Sequence, residues 1–437
     1  MTKISFSATV RTMMAALALI LAATGTVRAT DAANRLYSIV TCPAEDASRQ
    51  MAVSWAADTT VGRSWVVYTT ETDETWAKAL RAEPEQQTLC TTYDSIYSKL
   101  PNGDNFYEQV RFTKCGATLN GLTPDTHYKY RIISAAGDTS CVYRFITAGA
   151  QSWGACIISD FHTYAPLPAR LESAMDMLQT IDNRYRDVDW VLHIGDVIAW
   201  GGSYSFWRDL YSQPAFRRSM WAGLNGNHDN MSRRYQLTNA YLRDANYYPR
   251  NGYDGEQGVC YHFRYGDVLF IMLNNEDMRT DSGLVAAQQW VRKVIKVYQP
   301  GTRYTVVCEH YQWFFGGNGK TSQYARWKDL FDECGVDLAI AGNNHIYART
   351  APLKADAVTT SDRGTTYVQL PSSDNERGQK PYGPLEQNAD KLLCRWNEGP
   401  NTVGALHLSV DRRRMAVQLL NRDGSVIDSF EVLARRK

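Results

Sequence analysis

The chain has almost no net charge: 47 basic and 46 acidic residues leave a formal +1 over 437 positions. Without a long-range field, neither nucleic acid nor an acidic membrane is expected as the main partner. The only basic runs, Arg412-Arg413-Arg414 and Arg435-Arg436-Lys437, read as solvated strand or tail ends. No cysteine pair has CxxC spacing, which disfavours cysteine-ligated zinc. Internal repeats and low-complexity segments are lacking as well. The one long apolar stretch, Met13 to Ala23, is too short for a permanent membrane anchor.

That stretch follows Lys3 and Arg11 and precedes Val27-Arg28-Ala29, a small-x-small cleavage pattern. This is the layout of a secretory signal peptide over residues 1–29. The mature chain is then expected to begin near Thr30 and to be secreted or periplasmic. The first cysteine, Cys42, lies too far on for lipid anchoring at the cleavage site. Cys42, Cys90, Cys115 and Cys141 form an even set in the first 150 residues, which in an exported domain predicts one or two disulfides. Cys156 and Cys308 sit in apolar runs and read as small buried hydrophobes.

A chain of this length predicts two domains. Residues 31–150 read as an all-β sandwich. Met51-Ala52-Val53-Ser54-Trp55, Ser64 to Tyr68, Tyr128 to Ile132 and Val142 to Ile146 are alternating or β-branched runs. Leu122-Thr123-Pro124-Asp125-Thr126-His127-Tyr128 resembles the turn before a penultimate strand of fibronectin type III-like sandwiches, with its corner tyrosine. From 151 to 437 the texture is α/β. Strands are expected at Gly154–Ser159, Trp190–Ile194, Trp221–Leu224, Val268–Leu273, Tyr304–Cys308 and Val336–Ala341, with helices over Ala169–Ile181 and Leu284–Val297. The tail is expected to be all strand.

Five polar islands follow these apolar runs: Asp160-Phe161-His162, Gly195-Asp196, Gly226-Asn227-His228-Asp229, His310 and Gly342-Asn343-Asn344-His345. Polar tips at the carboxyl ends of strands are where an α/β scaffold places its site. Carboxylates, an amide oxygen and imidazoles are the donors that two adjacent divalent or trivalent metals require. A carboxylate such as Asp196 can bridge two ions about 3.5–4 Å apart. His228 directly follows Asn227, so its side chain is expected to be left for substrate, with Asp229 orienting that imidazole and raising its pKa. His193, His262 and His407 lie inside strand runs and read as core histidines. Tyr164, Trp200, Trp313 and Tyr347 flank the islands and either wall the pocket or pack. Asn230-Met231-Ser232 is a sequon whose glycan would obstruct His228, so it reads as unused.

The order of these islands resembles the calcineurin-like metallophosphoesterase superfamily, whose pattern is Asp-x-His, Gly-Asp, Gly-Asn-His-Asp/Glu, a lone His and Gly-His-x-His. The resemblance covers residues 153 to about 350, and the sandwich ahead of it looks like the layout of purple acid phosphatases. It implies a four-layer α/β/β/α fold with metals at the strand ends. It assigns one ion to Asp160, His162, Asp196 and His345, and the other to Asp196, Asn227 and His310, with His228 facing substrate. The implied cofactors are two ions of the Fe, Mn or Zn type. Purple acid phosphatases carry a tyrosine three residues after the bridging aspartate; here that residue is Ala199, so a non-purple site is expected. Asn343 stands at the first His of Gly-His-x-His, and its amide oxygen binds borderline-soft metals less well than imidazole. The second site is therefore expected to be weak and filled by Mn or Mg, to be completed only with substrate, or to be lost. The expected activity is hydrolysis of a small phosphorylated substrate, as a monoester in the first reading and a diester in the second. A non-catalytic protein that keeps the fold and binds a glycan or partner through its sandwich is the competing class, supported by Asn343 alone.

Overall fold

A computed structural model of the chain describes residues 35–99, 105–149, 152–231, 238–314, 323–374 and 389–436. Residues 1–29, expected to be a signal peptide, and Ser232 of the sequon lie outside the described residues. Eight strands come first: β1 (Leu36–Pro43), β2 (Met51–Ala57), β3 (Ser64–Thr70), β4 (Leu80–Ala82), β5 (Gln86–Lys99), β6 (Asn105–Leu119), β7 (His127–Ser134) and β8 (Tyr143–Ile146). Then follow β9 (Ser152–Ile158), β10 (Val188–His193), β11 (Met220–Gly223), β12 (Tyr261–Tyr265), β13 (Val268–Met272), β14 (Tyr304–Cys308) and β15 (Leu338–Ala341). The last are β16 (Tyr347–Thr350), β17 (Leu353–Lys354), β18 (Ala357–Val358), β19 (Thr366–Gln369), β20 (Leu392–Trp396), β21 (Gly404–Asp411), β22 (Met415–Asn421) and β23 (Val426–Val432).

The first eight strands make two antiparallel layers. One is β4-β3-β7-β8; the other, β1-β2-β6-β5, continues into a ten-stranded sheet ordered β23-β22-β21-β9-β10-β11-β1-β2-β6-β5. The join is a parallel pairing of β1 with β11 at Thr41 and Met220. Thr41 also bonds across the sandwich, its hydroxyl 2.9 Å from that of Tyr130 on β7. The N-terminal region thus shares a sheet and a hydrophobic core with the α/β region. The expected corner tyrosine is present: Tyr128 Oη accepts a hydrogen bond from the Thr123 backbone N–H at 3.0 Å.

The expected disulfides are not formed; all nine cysteines are free thiols. Strand register explains this for the buried three. Cys90 is opposite Phe112, and Cys115 is opposite Trp55, so the period of two puts Cys90 and Cys115 on opposite faces. Cys42 is opposite Ala52, which places it too on the face away from Cys115. Cys42 and Cys90 share a face but are separated by six residues of register along the strands, roughly 20 Å at about 3.3 Å per residue.

A seven-stranded sheet, β12-β13-β14-β15-β19-β16-β20, packs on the ten-stranded one. Alternation along its strands separates the layers. Val268, Phe270, Val306, Leu338, Ile340 and Val368 face the first sheet, while Leu269, Ile271, Val307, Ala339 and Tyr367 face a core shared with Trp290, Val294, Trp327 and Phe331. Those last four belong to the helices Asp281–Tyr298 and Tyr324–Cys334. The helix Ala169–Tyr185 packs on β9, β10 and β21. The order is helix, sheet, sheet, helix, as expected. Asp281–Tyr298 begins three residues before the sequence expectation because the Thr280 side chain caps the Gly283 N–H.

Candidate metal centre

Three neighbouring parallel strands of each sheet end at the same place: β9, β10 and β11 from one, β14, β15 and β19 from the other. The five islands are the segments that leave the first five of these strands. They are stitched across the two sheets. The Ser373 N–H bonds to the Ser159 carbonyl at 2.9 Å, the Asn343 N–H to Asp160 Oδ2 at 3.0 Å, and His310 Nδ1 to the Ile194 carbonyl at 2.7 Å.

The tips turn sharply. Asp160 (φ 52°), His162 (46°), Asp196 (51°), Asn343 (71°) and His345 (56°) all adopt the left-handed region that non-glycine residues rarely occupy. Strain of this kind, about 1–3 kcal/mol per residue, persists where the surroundings over-determine it, and it gathers at functional sites. Close approach also demands glycine. A Cβ on Gly195 would lie 2.7 Å from His310 Nδ1, and one on Gly342 would lie 2.6 Å from Asp160 Oδ2.

Ligand atoms of three sets of side chains lie within 4.8 Å of one another: Asp160, His162 and His345; Asp160, Asp196 and His310; and His162, Asp196 and His228. Asp196 Oδ2 is 3.3 Å from His162 Nε2 and 3.4 Å from His310 Nε2, and Asp160 Oδ1 is 3.4 Å from His345 Nε2. The imidazoles are fixed by main chain. Nδ1 of His162 meets the Asp160 carbonyl at 2.8 Å, and Nδ1 of His228 meets the Ala199 carbonyl at 2.7 Å. A carbonyl only accepts, so in His162, His228 and His310 Nδ1 carries the proton and Nε2 is the atom turned to ligands.

Burial opposes ionisation of Asp160 and Asp196, yet the imidazoles around them outweigh it. His310 and His345 hold Asp160 below the usual carboxylate range, and His310 and His228 hold Asp196 well below it. Burial likewise opposes a charged His310, but Asp196 and Asp160 raise it to about 9. The centre is a buried, charge-dense cluster.

Among the described residues of the centre, Asp160 Oδ1, Asn227 Oδ1 and His310 Nε2 are buried and make no regular hydrogen bond, although the 3.4 Å ion-pair contacts above reach Asp160 Oδ1 and His310 Nε2. All three are of the donor types that bind cations, so the residues present fit a metal pair.

One sequence expectation changes. Asp229 does not serve as the anchor of the His228 imidazole; the Ala199 carbonyl does. The Asp229 carboxylate instead accepts the backbone N–H groups of Asp196 (2.7 Å), Ile198 (2.9 Å) and Gly226 (2.9 Å), so it clamps the loop that carries Asp196. Burial, then the charge on Asp196, push its pKa up to about 7. Asn343 Nδ2 donates to Gln312 Oε1, which leaves the expectation for its amide oxygen as it was.

The flanking aromatics divide. Trp200 lies against His228 with ring centroids 5.8 Å apart, whereas Trp313 is buried and donates to the Ala339 carbonyl, and Tyr347 bonds to Asp428. Tyr164 packs edge-on to Phe206. His193 is buried beside the Tyr248 hydroxyl, His407 stacks on Tyr185 and pairs with Asp187, and His262 packs on Tyr298; none belongs to the three ligand sets.

A sixth tip was missed. After β19, the Ser372 hydroxyl donates to the Asp160 carbonyl at 2.8 Å, and Asp374 Oδ2 is 3.7 Å from His162 Nδ1. Its signal was available: Pro371-Ser372-Ser373-Asp374 is a polar island after an apolar run, like the other five.

The profile of the calcineurin-like phosphoesterases matches residues 155–347, and that of the purple acid phosphatase N-terminal domain matches residues 37–147. Two curated relatives from Mycobacterium tuberculosis, the uncharacterized proteins Rv2577 and MT2654, are each 25% identical over 372 residues. Those alignments cover 76% of this chain and 66% of the relative, so the chain spans just under two thirds of their length. Among solved structures, the purple acid phosphatase PPD1 from yellow lupin (Lupinus luteus) seeds superposes with a TM-score of 0.68 at 16% identity, over 92% of this chain and 74% of that one. PhoD superposes with a TM-score of 0.57 at 11% identity, over 92% and 93%. The convergence of the strand tips and the donor set accord with both profiles: residues 155–347 form a calcineurin-like phosphoesterase domain, and a domain of the purple acid phosphatase N-terminal type precedes it.

Proposed function

We propose that the protein is an exported phosphomonoesterase acting on a small phosphorylated substrate. In this reading one ion is held by Asp160, His162, Asp196 and His345, and a second by Asp196, Asn227, His310 and Asn343. The observation that carries the reading is the set of buried donor atoms on Asp160, Asn227 and His310, none with a regular hydrogen bond, at converging strand tips. The fold shared with a purple acid phosphatase supports the monoester, and the signal-peptide layout of residues 1–29 supports export. The first ion is of the Fe, Mn or Zn type, and Ala199 in place of a tyrosine makes the centre non-purple.

When bound, the ions supply Lewis acidity at the phosphate oxygens and a water of lowered pKa. Hydrolysis joins a water oxygen to phosphorus and breaks the bond to the ester oxygen. His228, held through Nδ1 by Ala199, presents Nε2; protonated there, it gives that proton to the departing alkoxide. Trp200 backs the ring and limits its swing. Asp229 contributes by holding the Asp196 loop, as a positioning residue.

The test is turnover of generic mono- and diesters by protein loaded with each metal, alongside elemental analysis. His228→Ala should lower kcat by about 10²–10⁴-fold with metal content intact. Asp196→Ala should drop the content from about two ions per chain to fewer than one. Wild-type turnover in both variants would overturn the reading, and faster hydrolysis of diesters would replace the monoester by the diester.

A further inference from the structure

The half of the centre that departs from the imidazole pattern is rebuilt with amides. Asn343 occupies the tip after β15 in a left-handed conformation, and its backbone N–H is tied to Asp160 Oδ2. Its side-chain nitrogen donates to Oε1 of Gln312. Gln312 is fully buried, two residues beyond His310 on the tip after β14, and its own Nε2 has no partner. An amide nitrogen offers no lone pair to a metal, so Asn343 can ligate through Oδ1 alone. A bond that engages Nδ2 fixes which end of the amide is turned which way.

We propose that Gln312 is a positioning residue that turns the Asn343 amide so that its carbonyl oxygen serves the second ion, making that site oxygen-rich and selective for harder cations such as Mn or Mg over Zn. This rests on the dinuclear reading above. Oxygen donors from Asp196, Asn227 and Asn343 then outnumber the single nitrogen of His310, and carbonyl and carboxylate oxygens suit Mg and Mn where imidazole suits Zn. The unpartnered Gln312 Nε2 is a buried donor whose acceptor the protein does not supply, which fits an oxygen arriving with the ion as water or phosphate.

Metal-stripped full-length protein is titrated calorimetrically with Mn alone and with Zn alone, and bound metal is counted. The step lost in His345→Ala marks the first ion. Gln312→Leu should weaken Mn at the second step by about 10–100-fold, the size typical of removing an outer partner of a ligand, and leave the first step unchanged. Gln312→Glu, whose carboxylate can only accept, should retain the Mn preference. Asn343→His should shift the second step toward Zn, and in that background Gln312→Leu should be silent. Unchanged Mn affinity in Gln312→Leu, equal weakening of both steps, or loss of the preference in Gln312→Glu would overturn the assignment. Wild-type protein that takes up neither metal would instead overturn the dinuclear reading itself.

Discussion

The two sides of the metal centre stand on equivalent ground, each at the carboxyl ends of parallel strands, yet they are furnished differently. Around Asp160 the partners are His162 and His345, two imidazoles whose ligand nitrogens lie near carboxylate oxygens. The other cluster, Asp160, Asp196 and His310, has one imidazole, and the proposed second site adds the amides Asn227 and Asn343, with Gln312 bonded to the latter. The contrast separates two determinants. The sheets set where donors converge, and the side chains at the tips set which cation suits them. A change of side chain at one tip can therefore retune one ion without moving the other.

The strongest way to break this comparison is to remove one donor from each side. His345→Ala should cost more than the about 10–100-fold in metal affinity that an outer partner costs. Asn343→Ala should cost less than His345→Ala, and affect the second ion only. Equilibrium dialysis with elemental analysis reads both. Equal losses, or loss of the same ion, would mean that the two sides are not distinct.

Asp229→Ala tests what they share. Three buried N–H groups would lose their acceptor, at about 1–3 kcal/mol each, so unfolding free energy should fall by about 3 kcal/mol or more in urea titration. Both ions should weaken together, because the loop it clamps carries the bridging Asp196. Selective loss of one ion would assign Asp229 to a single side.

The smallest effect is expected at Gly342→Ala. The added methyl crowds Asp160 Oδ2, and overpacking of this kind costs about 1–3 kcal/mol. Because the proposed first ion takes Asp160 as a ligand and the second does not, the first should weaken more than the second. The same metal titration and a urea melt of the stripped protein check it; unchanged stability and affinity would show that this tip has slack.

Much of the centre was legible in the sequence because each ligand island follows an apolar run, and a buried parallel strand delivers its next residues to the sheet end. Asp160, His162, Asp196, His228, His310 and His345, each placed at a strand end by this reasoning, do come together in the structure. The strand assignments held for the same reason, since Val268 to Met272 or Leu338 to Ala341 can hardly be anything but buried strand. Less local facts escaped. The role of Asp229 depends on which backbone amides face it, and those of Ile198 and Asp196 lie about thirty residues away. The free thiols follow from strand register, which spacing along the chain does not contain. Ser372 and Asp374 follow the same rule as the other islands, but no pattern of residue types singled them out.

By itself the sequence determined the strands, the donors and their order, because hydrophobic period and side-chain chemistry are properties of short segments. Only the tertiary structure decided the rest. It ran β1 into the ten-stranded sheet, gave the His228 imidazole to Ala199 instead of Asp229, and set Gln312 against Asn343. Each of these is a hydrogen bond or pairing between segments distant in the chain. Such pairings are fixed by how the two sheets pack, and so they cannot be read from either segment alone.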